Sequence, residues 1–147
     1  MEIVIDEWIV HYMSDPEKHE IIFRFLKKVF KKCDRFVTVR GRGLDQKIWQ
    51  IAKKSAYWNP ESRRLVKWFM GSFRHNSKKF HILEESNISL PLELEQETPP
   101  DDLYLVKAAI ATKSFIVTTD YKLKRKLSHW KEITVYMVDE FLDLYDC

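Results

Sequence analysis

Residues 102–120 read DLYLVKAAIATKSFIVTTD, and this stretch decides the fold that we predict for the chain. Residues 103–113 are apolar almost without interruption, which indicates a helix that is buried on most of its surface. The unbroken apolar run of residues 115–117 is typical of a strand covered on both faces. Asp102 stands where the helix begins, and Asp120 follows the strand. The segment therefore places one acid at a helix start and another at a strand exit.

The first residues of the chain repeat the second half of that pattern. Residues 3–5 form a short apolar strand candidate, and Asp6 ends it. If the two strands are parallel neighbours, Asp6 and Asp120 leave the sheet at the edge where α/β proteins build their sites. Carboxylates held close together repel each other unless a proton or a cation lies between them. Mg²⁺ or Mn²⁺, which prefer oxygen ligands, would relieve that repulsion, so we predict a metal site here.

The remainder of the chain alternates strand and helix patterns, and residues 84–100, with three prolines and no clear period, read as a loop. Further strands are predicted at residues 36–39, 80–83 and 133–138. Helices are predicted at residues 7–13, from 16 onward, and at 44–57, 60–75, 121–127 and 139–144. This alternation predicts an α/β fold, a three-layer α/β/α sandwich with a mainly parallel central sheet, in a single domain spanning residues 1–147.

Charge is unevenly distributed along the middle of the chain, although the net charge is only +3. Residues 53–79 contain eight Lys or Arg residues against one acid, whereas residues 84–102 contain seven acids and no Lys or Arg. The basic half is suited to phosphates and the acidic half to cations or a basic partner. The arginines that we expect to contact phosphate are Arg40, Arg42, Arg63 and Arg64.

Aromatic residues are interleaved with these basic residues, and two interpretations stay open. They could stack on the bases of single-stranded RNA. Their helical spacing favours the other interpretation, two amphipathic helices with the aromatic side chains in the core and a solvated charged face. The side chains expected in the core are Trp49, Trp68, Phe69 and Phe73.

Several function classes find no support in the sequence. No apolar run is long enough to span a bilayer, and the N-terminus has no signal-peptide pattern. Cys33 and Cys147 have no metal-type spacing and are expected to be free thiols in the cytoplasm. The five histidines show no paired metal spacing, and no serine has the context of a nucleophile elbow.

Three segments of the chain resemble a PIN domain, the nuclease module of many VapC-type toxins and of stand-alone archaeal proteins. Val4-Ile5-Asp6 resembles the opening strand and first aspartate of that family. Asp102 followed by Val106-Lys107-Ala108-Ala109 resembles the helix that carries its third acid. Residues 116–120, Ile-Val-Thr-Thr-Asp, resemble the strand and Thr-x-Asp motif that carry the last one. The ending Val-Asp-Glu-Phe-Leu at 138–142 also fits.

The resemblance implies a metal-dependent endoribonuclease that hydrolyses phosphodiester bonds of single-stranded RNA. It implies that Asp6, Asp102 and Asp120 hold Mg²⁺ or Mn²⁺, directly or through water. The best counterpart of the family's second acid is Asp45, with Glu7 in reserve. Family members often form homodimers, and the toxin members pair with an antitoxin, so a homodimer and an antitoxin-like inhibitor are implied as partners besides RNA.

The chain also departs from the family pattern. Trp8 stands where the family usually has a small polar residue, and Thr119 stands where Asn or Asp is common before the last aspartate. Moreover, Asp102, Asp120 and Asp45 each occupy a position where an acid can simply cap a helix. The family's second acid has no clean counterpart here. Trp8 and this missing acid support the alternative, a catalytically degenerate PIN-like scaffold that binds RNA or protein.

Overall fold

The computed structural model describes residues 1–145, with the side chain of Ala56 left out, and within them the strands form one sheet. Every neighbouring pair of strands is parallel, and the order is β3-β2-β1-β4-β5. The strands are β1 (Glu2–Ile5), β2 (Arg35–Val39), β3 (Phe80–Leu83), β4 (Phe115–Thr118) and β5 (Val135–Met137). The chain builds outward from β1 in one direction and then returns to its other side, so the switch point of the sheet lies between β1 and β4.

Helices connect the strands and flank the sheet. They are α1 (Trp8–Ser14), α2 (His19–Lys31), α3 (Gly43–Lys54), α4 (Pro60–Phe69), α5 (Leu92–Glu97), α6 (Leu103–Thr112), α7 (Tyr121–Leu127) and α8 (Val138–Tyr145). A π-helical turn, Met70–Arg74, extends α4, and a 3₁₀ turn, Pro100–Asp102, leads into α6. The predicted fold class, an α/β/α sandwich, is confirmed, and the sheet is parallel throughout these residues.

Aromatic side chains fill the layer on one face of the sheet. Phe36 of β2 packs against Phe25 of α2 and Phe73 of the π turn, with ring centroids 5.9 and 5.5 Å apart. Phe115 of β4 packs against Phe141 of α8, with centroids 5.4 Å apart. Such pairs add to the free energy gained by burying the rings themselves. These contacts hold β2 and β4, the two neighbours of β1, against the elements that cover this face of the sheet.

Helix α6 packs against β1, β2 and β4. Its buried residues Leu105, Val106, Ala108 and Ala109 explain why its sequence is apolar almost all round. The two alanines allow the helix backbone to approach the sheet closely. The packing of α6 across the two strands that flank the switch point brings its first turn to the carboxyl ends of β1 and β4.

The prediction of a loop over residues 84–100 is wrong in part. Residues Leu92–Glu97 form helix α5, and Leu94 is its one buried residue. A six-residue helix with a single buried side chain shows no apolar period, so the sequence pattern could not reveal it. The prolines at its borders were the signal for irregular structure, and they flank the helix instead of interrupting it.

The prediction of a core position is also wrong for Trp49, whose side chain is 43% exposed. Phe69 and Phe73 are buried as predicted, and Trp68 is half-buried. Lys79, which belongs to the basic stretch, is buried, and its ammonium group donates hydrogen bonds to backbone carbonyls in the last turn of α2 and just after it. The basic stretch is thus not a uniform solvated surface.

Cys33 is exposed as a free thiol, and Cys147 lies outside the described residues. Within residues 1–145, the structure contains no helix with the length and apolar character needed to cross a bilayer.

Candidate functional site

The ends of β1 and β4 meet at the switch point of the sheet. Ile5 is paired with Val117, and the backbone N–H of Asp6 donates to the carbonyl of Val117 at 3.3 Å. The hydroxyl of Thr118 donates to Oδ2 of Asp6 at 2.7 Å. The sheet therefore delivers Asp6 and the segment leading to Asp120 to one place, as the sequence predicts.

Neutral donors hold the carboxylate of Asp6 in one orientation. Besides Thr118, the backbone N–H of Glu7 donates to Oδ1 at 2.6 Å, and the phenol of Tyr104 donates to the same oxygen at 3.2 Å. Burial raises the pKa of the Tyr104 phenol, and the nearby charges of Asp6 and Glu7 raise it further, so the phenol stays a neutral donor. None of these donors carries a positive charge, so the negative charge of Asp6 is oriented but not neutralised.

Above Asp6 lies a cavity of about 580 Å³, which we call the acidic cavity. Six acidic residues line it: Asp6, Glu7, Glu85, Asp101, Asp102 and Asp120. Among the described residues, Arg42 is the one basic residue that lines it. The three aspartates that the sequence predicts as metal ligands thus come together from β1, the start of α6 and the end of β4.

Asp102 shows the electrostatic cost of this convergence. Burial, followed by repulsion from Asp6, Asp120, Asp101 and Glu7, raises the pKa of its carboxyl to about 6. Asp102 occupies the N-cap position of α6, but its side chain makes no capping hydrogen bond. The capping interpretation therefore does not account for its carboxylate, which lines the acidic cavity instead.

Asp120 does cap a helix, as the alternative interpretation expects. Its Oδ1 accepts hydrogen bonds from the backbone N–H groups of Lys122 and Leu123 at 3.0 and 3.2 Å. Both bonds use the same oxygen, and the residue also lines the acidic cavity. One oxygen can anchor the side chain to α7 while the other serves the cavity, so the two interpretations are compatible.

Asp45 does not join the other acids. It is buried, its Oδ1 lies 3.0 Å from Nη2 of Arg74, and its Oδ2 accepts the backbone N–H of Gly41 at 2.8 Å. This buried ion pair links the start of α3 to the π turn, and Asp45 is not among the residues lining the acidic cavity. The acid next to Asp6 in the cavity is Glu7, the reserve candidate.

Of the four arginines expected to contact phosphate, only Arg42 lines the acidic cavity. Its Nε lies 2.6 Å from Glu85, which also accepts from Lys107 at 2.8 Å, and these bonds lower the pKa of the Glu85 carboxyl. Arg40 is paired in the same way with Glu84 at 2.7 Å. Arg63 and Arg64 are exposed on α4 and belong to other surface grooves.

Trp8, the departure that argues for a degenerate site, lies beneath the cavity and not in it. Its side chain is buried, its indole N–H donates to the carbonyl of Val117 at 3.0 Å, and its ring packs against Phe25. The large residue therefore braces the ends of β1 and β4 and leaves the space above Asp6 open.

Tyr104 and Thr118 are the site residues whose contacts the sequence could not supply. Thr118 stands in the Thr-x-Asp motif, but nothing in the motif shows that its hydroxyl binds Asp6. Tyr104 and Asp6 are 98 positions apart in the sequence. A further constraint comes from Gly43, where an added Cβ would lie 2.1 Å from the ring of Tyr104.

The donor chemistry of the acidic cavity fits Mg²⁺ or Mn²⁺, because its acidic side chains offer hard oxygen ligands. Among residues 1–145, however, no three His, Cys, Asp or Glu side chains are arranged to hold a metal ion directly. Mg²⁺ commonly keeps several waters and binds one or two carboxylates. The residues therefore suit an ion held partly through water better than an ion enclosed by protein ligands.

Fold and site together define a doubly wound α/β protein with an acidic cavity at its switch point. No family model matches the sequence, and no match is found among curated proteins.

Proposed function

We propose that the protein is a metal-dependent endoribonuclease of PIN type, which hydrolyses phosphodiester bonds of single-stranded RNA. The observation that carries the proposal is the convergence of Asp6, Asp102 and Asp120, from three separate segments, on one cavity at the switch point. Burial and then the repulsion among these acids raise the pKa of the Asp102 carboxyl to about 6, and such repulsion favours the binding of a cation among them.

On this proposal Asp6, Asp102 and Asp120 hold Mg²⁺ or Mn²⁺, directly or through water. When bound, such an ion lowers the pKa of a coordinated water and stabilises charge on the phosphate and the leaving oxygen. The protein contributes orientation, since Thr118 and Tyr104 fix the carboxylate of Asp6. An acidic cavity without a cation repels the phosphate backbone, so substrate is expected to enter only after the ion is bound.

The test is cleavage of single-stranded RNA with Mg²⁺ or Mn²⁺, with and without EDTA. Asp6→Asn and Asp120→Asn are expected to abolish cleavage while preserving the fold, since both keep the volume of the side chain and Asn can still cap a helix. Asp139→Asn, which removes an exposed acid that does not line the acidic cavity, is the matched control. Cleavage at the wild-type rate by folded Asp6→Asn and Asp120→Asn proteins would refute the assignment.

A second candidate, a PIN-like scaffold that binds RNA or protein without cleaving it, is favoured by one observation. No three metal-binding side chains within residues 1–145 are in position to hold an ion. Titration calorimetry with Mn²⁺ separates the two candidates. Heat with a defined stoichiometry, lost in Asp102→Asn, supports the nuclease, and the absence of heat supports the scaffold.

The wider context of the resemblance also stays a prediction. It comprises a cytoplasmic location, a homodimer and an antitoxin-like inhibitor. Light scattering on the purified protein measures the oligomeric state, and co-purification of a bound protein partner would test for the inhibitor.

A further inference from the structure

A groove between α3 and α4 has a different character from the acidic cavity. It encloses about 410 Å³, and its lining includes Trp49, Ser55, Arg63, Lys67 and His75. None of the described residues that line it is acidic. Arg63 and Lys67 are four residues apart on α4, so their side chains extend from the same face of that helix. We call this feature the α3–α4 groove.

Trp49 is exposed in the α3–α4 groove, yet it is held in place. The guanidinium group of Arg74 lies 5.0 Å from the centre of its ring system, and the ring of His75 lies 5.7 Å away. Arg74 is itself fixed by its buried ion pair with Asp45. An aromatic surface that is already ordered loses little side-chain entropy when a flat ligand stacks on it. Trp49 is therefore better suited to stacking against a flat ligand than to a position in the hydrophobic core.

Helix α3 connects this groove to the acidic cavity. Gln46 lines the acidic cavity and Trp49 lines the groove. Residues three apart on a helix are surface neighbours separated by about 4.5 Å along the axis. A strand bound over Trp49 therefore lies about one helical turn from a residue that lines the acidic cavity.

We propose that the α3–α4 groove binds a base of single-stranded RNA, stacked on Trp49, with Arg63 and Lys67 on the adjoining phosphates. The strand then continues towards the acidic cavity. RNA binding in the groove does not depend on catalysis, whereas delivery of the strand to a cleavage site rests on the proposed function. The positive groove also supplies the attraction for phosphate that the acidic cavity lacks.

The chemistry favours single-stranded RNA over other anionic partners. Every base has a π face that an aromatic side chain can bind, whereas an acidic peptide needs only the cations. A base must be unpaired to enter such a groove, so duplex RNA is excluded. Single strands bound in this way depend on both stacking and salt.

The experiment measures fluorescence anisotropy of a labelled oligouridylate in EDTA, so that binding is recorded without cleavage. Trp49→Ala is expected to raise Kd about 5- to 100-fold, the loss associated with one stacked base. Trp49→Phe, which keeps an aromatic face, should restore most of the affinity. Phe23→Ala is the matched control, because Phe23 is 44% exposed compared with 43% for Trp49 but does not line the groove.

The charge contribution is tested with Arg63→Gln and Lys67→Gln. Each is expected to weaken binding and to reduce the slope of log affinity against log salt by about 0.7, the value for one phosphate contact to a single strand. Lys131→Gln removes the same charge from an exposed residue that does not line the groove and should leave the slope unchanged.

Three results would each overturn the inference: unchanged binding by folded Trp49→Ala protein, equal affinity for duplex RNA, or equally strong competition by polyglutamate. The last would identify a site for acidic peptides. Failure of the groove and failure of the nuclease are separable. If Trp49→Ala loses RNA binding while Asp6→Asn cleaves normally, only the nuclease assignment is refuted. If Trp49→Ala binds RNA normally while Asp6→Asn does not cleave, only the groove is refuted.

Discussion

At the scale of single residues, the orientation of the Asp6 carboxylate in the acidic cavity depends on two hydroxyl groups. Thr118 and Tyr104 donate to different oxygens of this carboxylate at 2.7 and 3.2 Å. Loss of a group that orients a metal-binding carboxylate typically lowers metal affinity or activity, although the group itself does not touch the substrate. Substituting Thr118 or Tyr104 therefore tests the orientation of the Asp6 carboxylate without removing its negative charge.

Tyr104→Phe removes one of these donors and leaves the ring in place. We expect the cleavage rate to fall about 10- to 100-fold, the range found when the hydrogen-bond partner of a metal ligand is lost. Tyr145→Phe is the matched control, because its phenol also donates to an aspartate, Asp34, outside the acidic cavity. Steady-state cleavage assays should show a normal rate for the control; an equal loss in both variants would contradict an orienting function for Tyr104.

Asp102 links the cavity to the pH dependence of stability. Its pKa is raised from 3.8 to about 6 in the folded protein, so the folded state holds this proton more tightly than the unfolded state does. The free energy of unfolding contributed by this group therefore falls as pH rises from about 4 to about 6.

Without divalent ions, Asp102→Asn should consequently be more stable than the wild type by about 1 kcal/mol near pH 7.5. The full shift would correspond to about 3 kcal/mol, and solvent screening of a partly exposed carboxyl reduces it. Urea unfolding monitored by circular dichroism measures the difference. Near pH 4 the gain should vanish, and a gain of equal size at both pH values would contradict the electrostatic explanation.

At this scale the positions of the acids that line the cavity could be predicted from the sequence, but their hydrogen-bond partners could not. Asp6, Asp102 and Asp120 could be found because each follows or precedes an apolar element. Asp45 occupies an equally suggestive position, yet it is neutralised by Arg74 from a π turn that no periodicity predicts. The orientation of a side chain depends on partners that are distant in sequence, and such partners leave no local pattern.

At the scale of secondary structure, the junction between β2 and α3 leaves no space for a side chain at the first position of the helix, and this close packing constrains the site. Gly43, the first residue of α3, has φ of +28°, and an added Cβ would lie 2.1 Å from Cε1 of Tyr104. Tyr104 belongs to the first turn of α6. The start of one helix is thus packed directly against the start of another, and both border the acidic cavity.

Gly43→Ala should therefore displace Tyr104 and reduce both stability and cleavage. We expect a loss of about 3 kcal/mol in the free energy of unfolding, since strain at positive φ adds to overpacking. Gly41→Ala is the control: Gly41 has φ of +71° but nothing within 4 Å of an added Cβ, so its cost should be about 1 kcal/mol with normal cleavage. Denaturant titrations and cleavage rates measure both; equal effects on cleavage would contradict the packing argument.

Most elements could be predicted because burial leaves a clear pattern. The central strands are covered on both faces, and mainly apolar runs predicted β1, β2, β3 and β4 closely, although Thr38 interrupts the run of β2 and His81 that of β3. Prediction failed for α5, where a single side chain, Leu94, is buried. It also failed for Trp49, since helical spacing cannot distinguish a tryptophan facing the core from one facing a groove between two helices.

At the scale of the whole molecule, a bound cation should stabilise the fold because the acidic cavity draws its charges from several elements. An ion that binds only the folded state at about 100 times its Kd adds about 2.7 kcal/mol, which for a chain of this size raises Tm by about 8 °C. Mn²⁺ is expected to produce such a rise in the wild type and in Asp139→Asn. A smaller rise is expected in Asp102→Asn and Asp120→Asn.

Differential scanning calorimetry at several Mn²⁺ concentrations measures these shifts. A wild-type Tm that does not depend on Mn²⁺ would contradict the cation site and favour the scaffold.

The topology of the sheet was predictable in part, since strand and helix alternation implies a parallel sheet. The strand order was not, because it depends on which strands pair across the full length of the chain.

The position of β1 between β2 and β4 has a consequence for biosynthesis. During synthesis β1 acquires its second neighbour, β4, only after residue 115 has been made, so this pairing cannot form early. Parallel pairings between distant segments also form slowly. On the proposed function, an unfinished chain carries Asp6 without Asp120 and is harmless to the messenger RNA from which it is being translated.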